Sequence, residues 1–151
     1  MTFPAQSFTT GQVLTAAQMN EISTEINDLW RLTFRAVTGT SDTLALSDSY
    51  SKLITYSNTG TTTVTIPSSS SVAFTTGAII NILKTGATGT VSIVQGSGVT
   101  ISSAGATSTN PVITTAQRAA SIIKTGGDSF VVIGGIALPC LSSGLQTNNK
   151  R

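Results

Sequence analysis

Residues 43–133 break into short β-prone runs separated by turn-forming residues, and this punctuation restricts the fold more than any other feature of the chain. The runs fall at 43–46, 52–56, 62–66, 78–83, 90–94, 99–102, 111–113, 119–124 and 130–133. Hydroxyl and apolar residues alternate in Thr63-Val64-Thr65-Ile66 and in Val91-Ser92-Ile93, the period of a strand with one face in a core and the other in water. Between the runs stand Asn58-Thr59-Gly60, Gly86-Ala87-Thr88-Gly89, Gly96-Ser97-Gly98 and Gly126-Gly127-Asp128, whose residue types favour turns. Short strands at this spacing predict an antiparallel β-sandwich or jelly-roll-like domain over residues 43–137. Within it, Ile79-Ile80-Asn81-Ile82-Leu83-Lys84-Thr85-Gly86 is echoed by Ser121-Ile122-Ile123-Lys124-Thr125-Gly126. The echo reads as two similar hairpins in facing sheets, or as coincidence in a chain rich in Thr and Gly.

Composition supports a packed domain and removes several functional classes. A length of 151 residues fits one domain with an appendage, and a β domain of about 100 residues is large enough to enclose a core. Charged residues make up only 9% of the chain, against about 25% in ordinary soluble domains. The hydrophobic fraction of 39% argues against disorder, and 47 Ser and Thr residues stand where charge would otherwise cover the surface. With a net charge of +2 and no Lys/Arg cluster, no nucleic-acid partner is expected. Cys140 is alone, so the chain cannot form an internal disulfide. The start Met1-Thr2-Phe3-Pro4 lacks the basic and apolar segments of a secretion signal. No apolar run reaches the ~18 residues of a membrane-spanning helix. Synthesis in the cytoplasm and no membrane partner are therefore expected.

Upstream of the β runs the pattern changes. Residues 1–14 read as an extended arm, with Pro4 and Gly11 opposing regular structure and Phe3 and Phe8 as spaced apolar anchors. Those rings need cover, either from a partner surface or from this chain. Thr15-Ala16-Ala17-Gln18 has the form of a capping box, with Leu14 and Met19 placed for a hydrophobic staple. A helix is expected over 16–35, inside a segment 15–36, with Glu21 and Glu25 nearer its start and Arg31 and Arg35 near its end, complementing the macrodipole. Met19, Ile22, Ile26 and Leu29 recur at heptad a and d spacing and form one seam, widened by Trp30 and Leu32. The seam packs either on the chain's own β domain or on copies of itself. Two heptads alone are marginal in water, so self-association would need help from the β domain or from the surface on which it docks. Isoleucine at a leans towards three strands. Residues 37–42 read as a linker, and 138–151 as a polar tail.

The side chains of common catalytic and metal sites are sparse. Histidine is absent, which removes the most frequent general base and metal ligand. One cysteine cannot build a thiolate zinc site, and Glu21, Glu25, Asp28, Asp42, Asp48 and Asp128 form no calcium loop. No cofactor and no metal are expected. Ser121-Ile122-Ile123-Lys124, together with Lys-Thr-Gly at 84–86 and 124–126, matches motifs of serine penicillin-binding enzymes. Those enzymes open a helix with Ser-x-x-Lys, whereas a strand here would place Ser121 and Lys124 on opposite faces. Asp48, flanked by Ser47 and Ser49, reads as a turn residue binding local amides.

Two stretches resemble small virion proteins of tailed bacteriophages. Phe8-Thr9-Thr10-Gly11-Gln12-Val13-Leu14-Thr15-Ala16-Ala17-Gln18-Met19-Asn20 is similar to the arm-to-helix entry of phage appendage proteins. From Asp48 to Ile136 the similarity rests on Lys52-Leu53-Ile54, Val64-Thr65-Ile66-Pro67, Gly77-Ala78-Ile79-Ile80, Gly89-Thr90-Val91-Ser92-Ile93 and Gly98-Val99-Thr100-Ile101. It closes on Ala119-Ala120-Ser121-Ile122-Ile123-Lys124 and Asp128-Ser129-Phe130-Val131-Val132. Such modules occur in head-decoration proteins, head fibres and tail fibres, often as trimers. Relatives often carry Trp where Phe130 stands and Gly where Ser51 stands. The resemblance implies a non-enzymatic virion protein, a homotrimer joined through Met19, Ile22, Ile26, Leu29 and β-domain contacts. Its arm would anchor through Phe3 and Phe8 on the major capsid protein or another virion protein. The alternative it implies is a short tail fibre or tail-tip adhesin binding a host receptor, with Tyr50 and Tyr56 as candidate contacts. A bacterial extracellular binding module is a third class, opposed by the expected lack of a secretion signal.

Overall fold

The computed structural model describes residues 15–29, 31–103, 106–107 and 110–137. It is mainly β, with two mixed sheets and one α-helix among those residues. The expected arm with Phe3 and Phe8, the Leu14 half of the staple, Trp30, Cys140 and the tail 138–151 lie outside them.

The helix, α1 (Ala16–Leu29), begins as its sequence dictates. The Thr15 amide donates to Gln18 Oε1 at 3.0 Å and the Gln18 amide donates to Thr15 Oγ1 at 3.3 Å, the reciprocal pair of a capping box. It ends earlier than the expected 35, and its last turn carries no basic residue. Residues Thr33–Val37 instead form strand β1. Thr, Phe and Val favour a pleated strand, and β1 gains a parallel partner in β3 (Lys52–Tyr56), with Thr33 opposite Lys52 and Val37 opposite Tyr56. Tertiary pairing thus overrides the helical reading of this stretch. The expected linker is a corner, since Ser41–Thr43 is already strand β2.

The remaining strands repeat that arrangement. The chain continues through β4 (Thr61–Ile66), β5 (Ile79–Lys84) and β6 (Thr90–Gln95). Strands β1, β3 and β5 lie side by side and parallel in one sheet, and β2, β4 and β6 lie parallel in the other. The three passages β1 to β2, β3 to β4 and β5 to β6 each turn at a Thr-Gly-Thr triplet: Thr38-Gly39-Thr40, Thr59-Gly60-Thr61 and Thr88-Gly89-Thr90. The corners stack and bond to one another. Asn58 Nδ2 donates to the Thr38 carbonyl at 2.6 Å, Thr62 Oγ1 donates to the Gly39 carbonyl at 2.9 Å, and Thr88 Oγ1 donates to the Thr59 carbonyl at 3.3 Å.

The expectation of antiparallel sheets is therefore corrected: the pairing is mixed. A hairpin needs consecutive strands in one sheet. Here the corners send consecutive strands to opposite sheets, so each return is parallel. Antiparallel pairing enters where the stack closes. Strands β10 (Arg118–Gly126) and β11 (Ser129–Gly134) form a true hairpin, and β10 pairs antiparallel with β5, Ile122 opposite Ile80. β7 (Thr100–Ser103) runs parallel to β11 and carries β8 (Ala106–Thr107), giving a seven-stranded order β1-β3-β5-β10-β11-β7-β8. β9 (Val112–Ile113) closes the four-stranded order β2-β4-β6-β9. The two echoing segments are thus direct neighbours in one sheet, not facing hairpins.

The inward faces of both sheets supply one hydrophobic core, including Ile54, Val64, Ile66, Ile80, Ile82, Ile93, Ile122 and Val132. Each such side chain stabilises the fold by about 1.5–3 kcal/mol on full burial. Phe74 and Phe130 meet edge to face with ring centres 6.2 Å apart.

Candidate interaction surfaces

The outward faces of the two sheets differ in kind. On the four-stranded sheet, Ser41 lies opposite Thr63, Thr63 opposite Ser92 and Ser92 opposite Val112. Thr43 lies opposite Thr65, and Thr65 opposite Val94. This face is a hydroxyl surface suited to water.

The seven-stranded sheet carries an apolar face outward. Phe34 lies opposite Leu53, Leu53 opposite Asn81, Asn81 opposite Ser121 and Ser121 opposite Ile133. A second rank joins Ile79, Ile123 and Val131. Phe34 is 70% exposed, Ile133 50% and Ile79 48%. At the centre Ser121 Oγ donates to Asn81 Oδ1 at 2.7 Å. Leu32, which joins α1 to β1, helps line a shallow depression here with Leu53, Asn81 and Ile133. The outward positions of β1, β3, β5, β10 and β11 include no charged residue.

The predicted seam is open as well. Met19 and Ile26 are each 52% exposed, Ile22 is partly buried, and the Leu29 side chain lies outside the described residues. Among the described residues α1 has no extended packing against either sheet.

Several charged side chains serve the interior. Arg35, inward on β1, makes a bidentate ion pair with Asp42 of β2 at 2.9 and 2.8 Å and reaches Asp48 at 2.9 Å. Asp48, in a 3-10 turn at Leu46–Ser49, also accepts the Ala45 amide at 2.8 Å, the local bond expected of it. Tyr56 donates its hydroxyl to Asp42 at 2.6 Å. This network joins the two sheets across the first corner. The Asp42 hydrogen bond and both carboxylate charges raise the Arg35 pKa despite burial, so the guanidinium stays charged. Burial, and then the Asp42 carboxylate, push the Tyr56 hydroxyl well above its ordinary value. Of the two tyrosines proposed for receptor contact, Tyr56 is thus a core residue, and Tyr50 is exposed.

Ser121 and Lys124 point to opposite faces, as strand geometry requires. Ser121 is bonded on the outer face, while Lys124 is buried. Its ammonium donates to Ser69 Oγ at 2.7 Å and to the Phe74 carbonyl at 2.8 Å, and sits 5.7 Å from the Phe130 ring centre. Lys84, at the matching place on β5, is buried and donates to the Gly86 carbonyl. Asp128, in the β10–β11 turn, accepts the Ser69 amide at 2.6 Å, which holds its carboxyl below the usual range.

Among the described residues no three His, Cys, Asp or Glu side chains are grouped to hold a metal ion, and no helix is long and apolar enough to cross a membrane. No family model matches the chain, and no curated protein matches it.

Proposed function

We propose that this chain is a non-enzymatic structural protein of a bacteriophage particle: a homotrimeric decoration protein that binds the outer surface of the capsid and stabilises it. The observation that carries the reading is the exposed seam of α1, with Met19 and Ile26 half exposed on a helix that has no extended packing on its own sheets. Apolar positions at heptad spacing that are left uncovered are suited to another surface. In this reading Met19, Ile22, Ile26 and Leu29 associate with copies of the chain. Phe3 and Phe8 seat the arm on the major capsid protein or another virion protein. The two sheets around one core act as a compact sandwich that displays the hydroxyl face to solvent. Stabilisation comes from area buried across neighbouring shell subunits, with no turnover.

Deletion of residues 1–13 tests the anchoring. The intact protein is expected to co-sediment with expanded capsids and the truncated protein to stay in the supernatant. Equal binding by both refutes the anchoring role. In the alternative, a short tail fibre or tail-tip adhesin, purified protein binds host cells and is present in few copies per particle, whereas decoration requires hundreds.

A further inference from the structure

We infer that the outer face of the seven-stranded sheet is a contact between copies of this chain. The inference rests on the self-association proposed above and locates it on a second element besides α1. Ile79-Ile80-Asn81-Ile82-Leu83 and Phe130-Val131-Val132-Ile133 are near-continuous apolar runs, the pattern of strands covered on both faces. The core covers Ile80, Ile82, Phe130 and Val132, and leaves Ile79 and Ile133 about half exposed. By contrast, Thr61-Thr62-Thr63-Val64-Thr65-Ile66 on the other sheet places hydroxyls outward.

Three properties of the face select a second copy as its cover. It has no charge, so a copy meets it without repulsion, while phosphate-bearing partners find no cation. At its centre, Asn81 Oδ1 accepts from Ser121, and both amide N–H donors of Asn81 have no hydrogen-bond partner among the described residues. An amide carries donors and an acceptor, so it can be satisfied by its own counterpart across a symmetry axis. A lone amide of this kind fixes register in apolar interfaces. The third property is size. Five strands about 4.8 Å apart and about five residues long give a face of roughly 400 Å². That is about half of the ~800 Å² per partner of a stable interface. Leu32 on the rim of the depression leads directly from α1 into this sheet. At 1.5 Å per residue the 14 residues of α1 extend the contact by about 21 Å. Face and helix therefore act as one interface.

The test is the mass of the full chain in solution by sedimentation velocity. Wild type is expected to form a discrete oligomer, and Ile133→Lys and Ile79→Lys to shift it to monomer. Thr63→Lys, on the hydroxyl face, is expected to keep the wild-type mass. Cooperative far-UV melting identifies the folded variants, and the two lysine variants lie in different ranks, so one suffices. Asn81→Leu is expected to remain associated but to spread over several stoichiometries. A monomeric wild type overturns the inference, as do folded lysine variants with wild-type mass. Lysine variants that keep their mass yet lose capsid binding assign the face to the shell and overturn the self-contact. A wild-type oligomer sensitive to Ile133→Lys that never binds capsids leaves the self-contact standing and removes the decoration reading.

Discussion

Arg35 and Tyr56 tie the two sheets together through the Asp42 carboxylate. Arg35 holds Asp42 and Asp48 together, and Tyr56 adds a hydroxyl to the same Asp42 carboxylate. The tyrosine hydroxyl titrates higher in the fold than in the unfolded chain. Its folded pKa is raised, so its stabilisation is complete below the unfolded value of about 10 and is lost as pH rises beyond it. Tyr56→Phe is expected to cost about 1.5–3 kcal/mol at neutral pH, the value of a hydrogen bond to a charged group. Part of the loss of stability above pH ~10 should vanish with it. Urea unfolding at pH 7 and pH 11 measures both effects. An unchanged alkaline loss in the variant means that another group controls that limb. The network is not legible in the sequence, because Arg35 sits where the pattern reads as a helix end, whereas on strand β1 it turns inward towards the carboxylates.

At the scale of elements, the stacked corners decide the topology. Gly89 has φ +73°, and a Cβ there would lie 2.1 Å from the Gly60 carbonyl oxygen of the corner beneath it. Gly89→Ala therefore combines a left-handed backbone with a clash against main chain that cannot yield. A loss of at least about 2 kcal/mol is expected, beyond the ordinary cost of a misplaced backbone conformation. Gly98→Ala is the comparison: it also has positive φ, +79°, but nothing lies within 4 Å of the added Cβ, so it should cost about 1 kcal/mol. Equal midpoints in denaturant for the two variants would mean that the close approach carries no energy. Strands β3 to β7 and β9 to β11 are legible within a residue or two, because runs such as Thr62–Ile66 alternate and are bounded by turn-forming or strand-breaking residues, here Gly60 and Pro67. The order of pairing is not. Turn residues identify a reversal without saying whether it joins neighbours in one sheet or passes between two. The repeated Thr-Gly-Thr triplets held that information, since a recurring unit signals stacked turns of chain. The apolar outward rank of Phe34, Leu53 and Ile133 is hidden for the opposite reason: a continuous apolar run identifies a strand but not what covers its second face.

Among the described residues of the whole molecule, the β body has its own core and the helix α1 lies apart from that core. Among those residues, the fully buried core runs from Leu44 to Val132 with Val37 and Ile136 packed against it, and α1 has no extended packing on the sheets. Removing residues 1–31 is therefore expected to leave a body that still melts cooperatively. The deletion removes Trp30, the chain's single tryptophan, so far-UV circular dichroism is the appropriate signal. An oligomer that dissociates on unfolding has a melting midpoint that rises with protein concentration, because the folded state alone is associated. The intact chain should show that dependence. The truncated body, with only the sheet face of roughly 400 Å² remaining, falls below the size of stable interfaces and should lose most of the dependence while keeping its cooperativity at low concentration. If the truncated chain melts without cooperativity, the N-terminal segment belongs to the folding unit, and the division into a body and a docking segment is wrong.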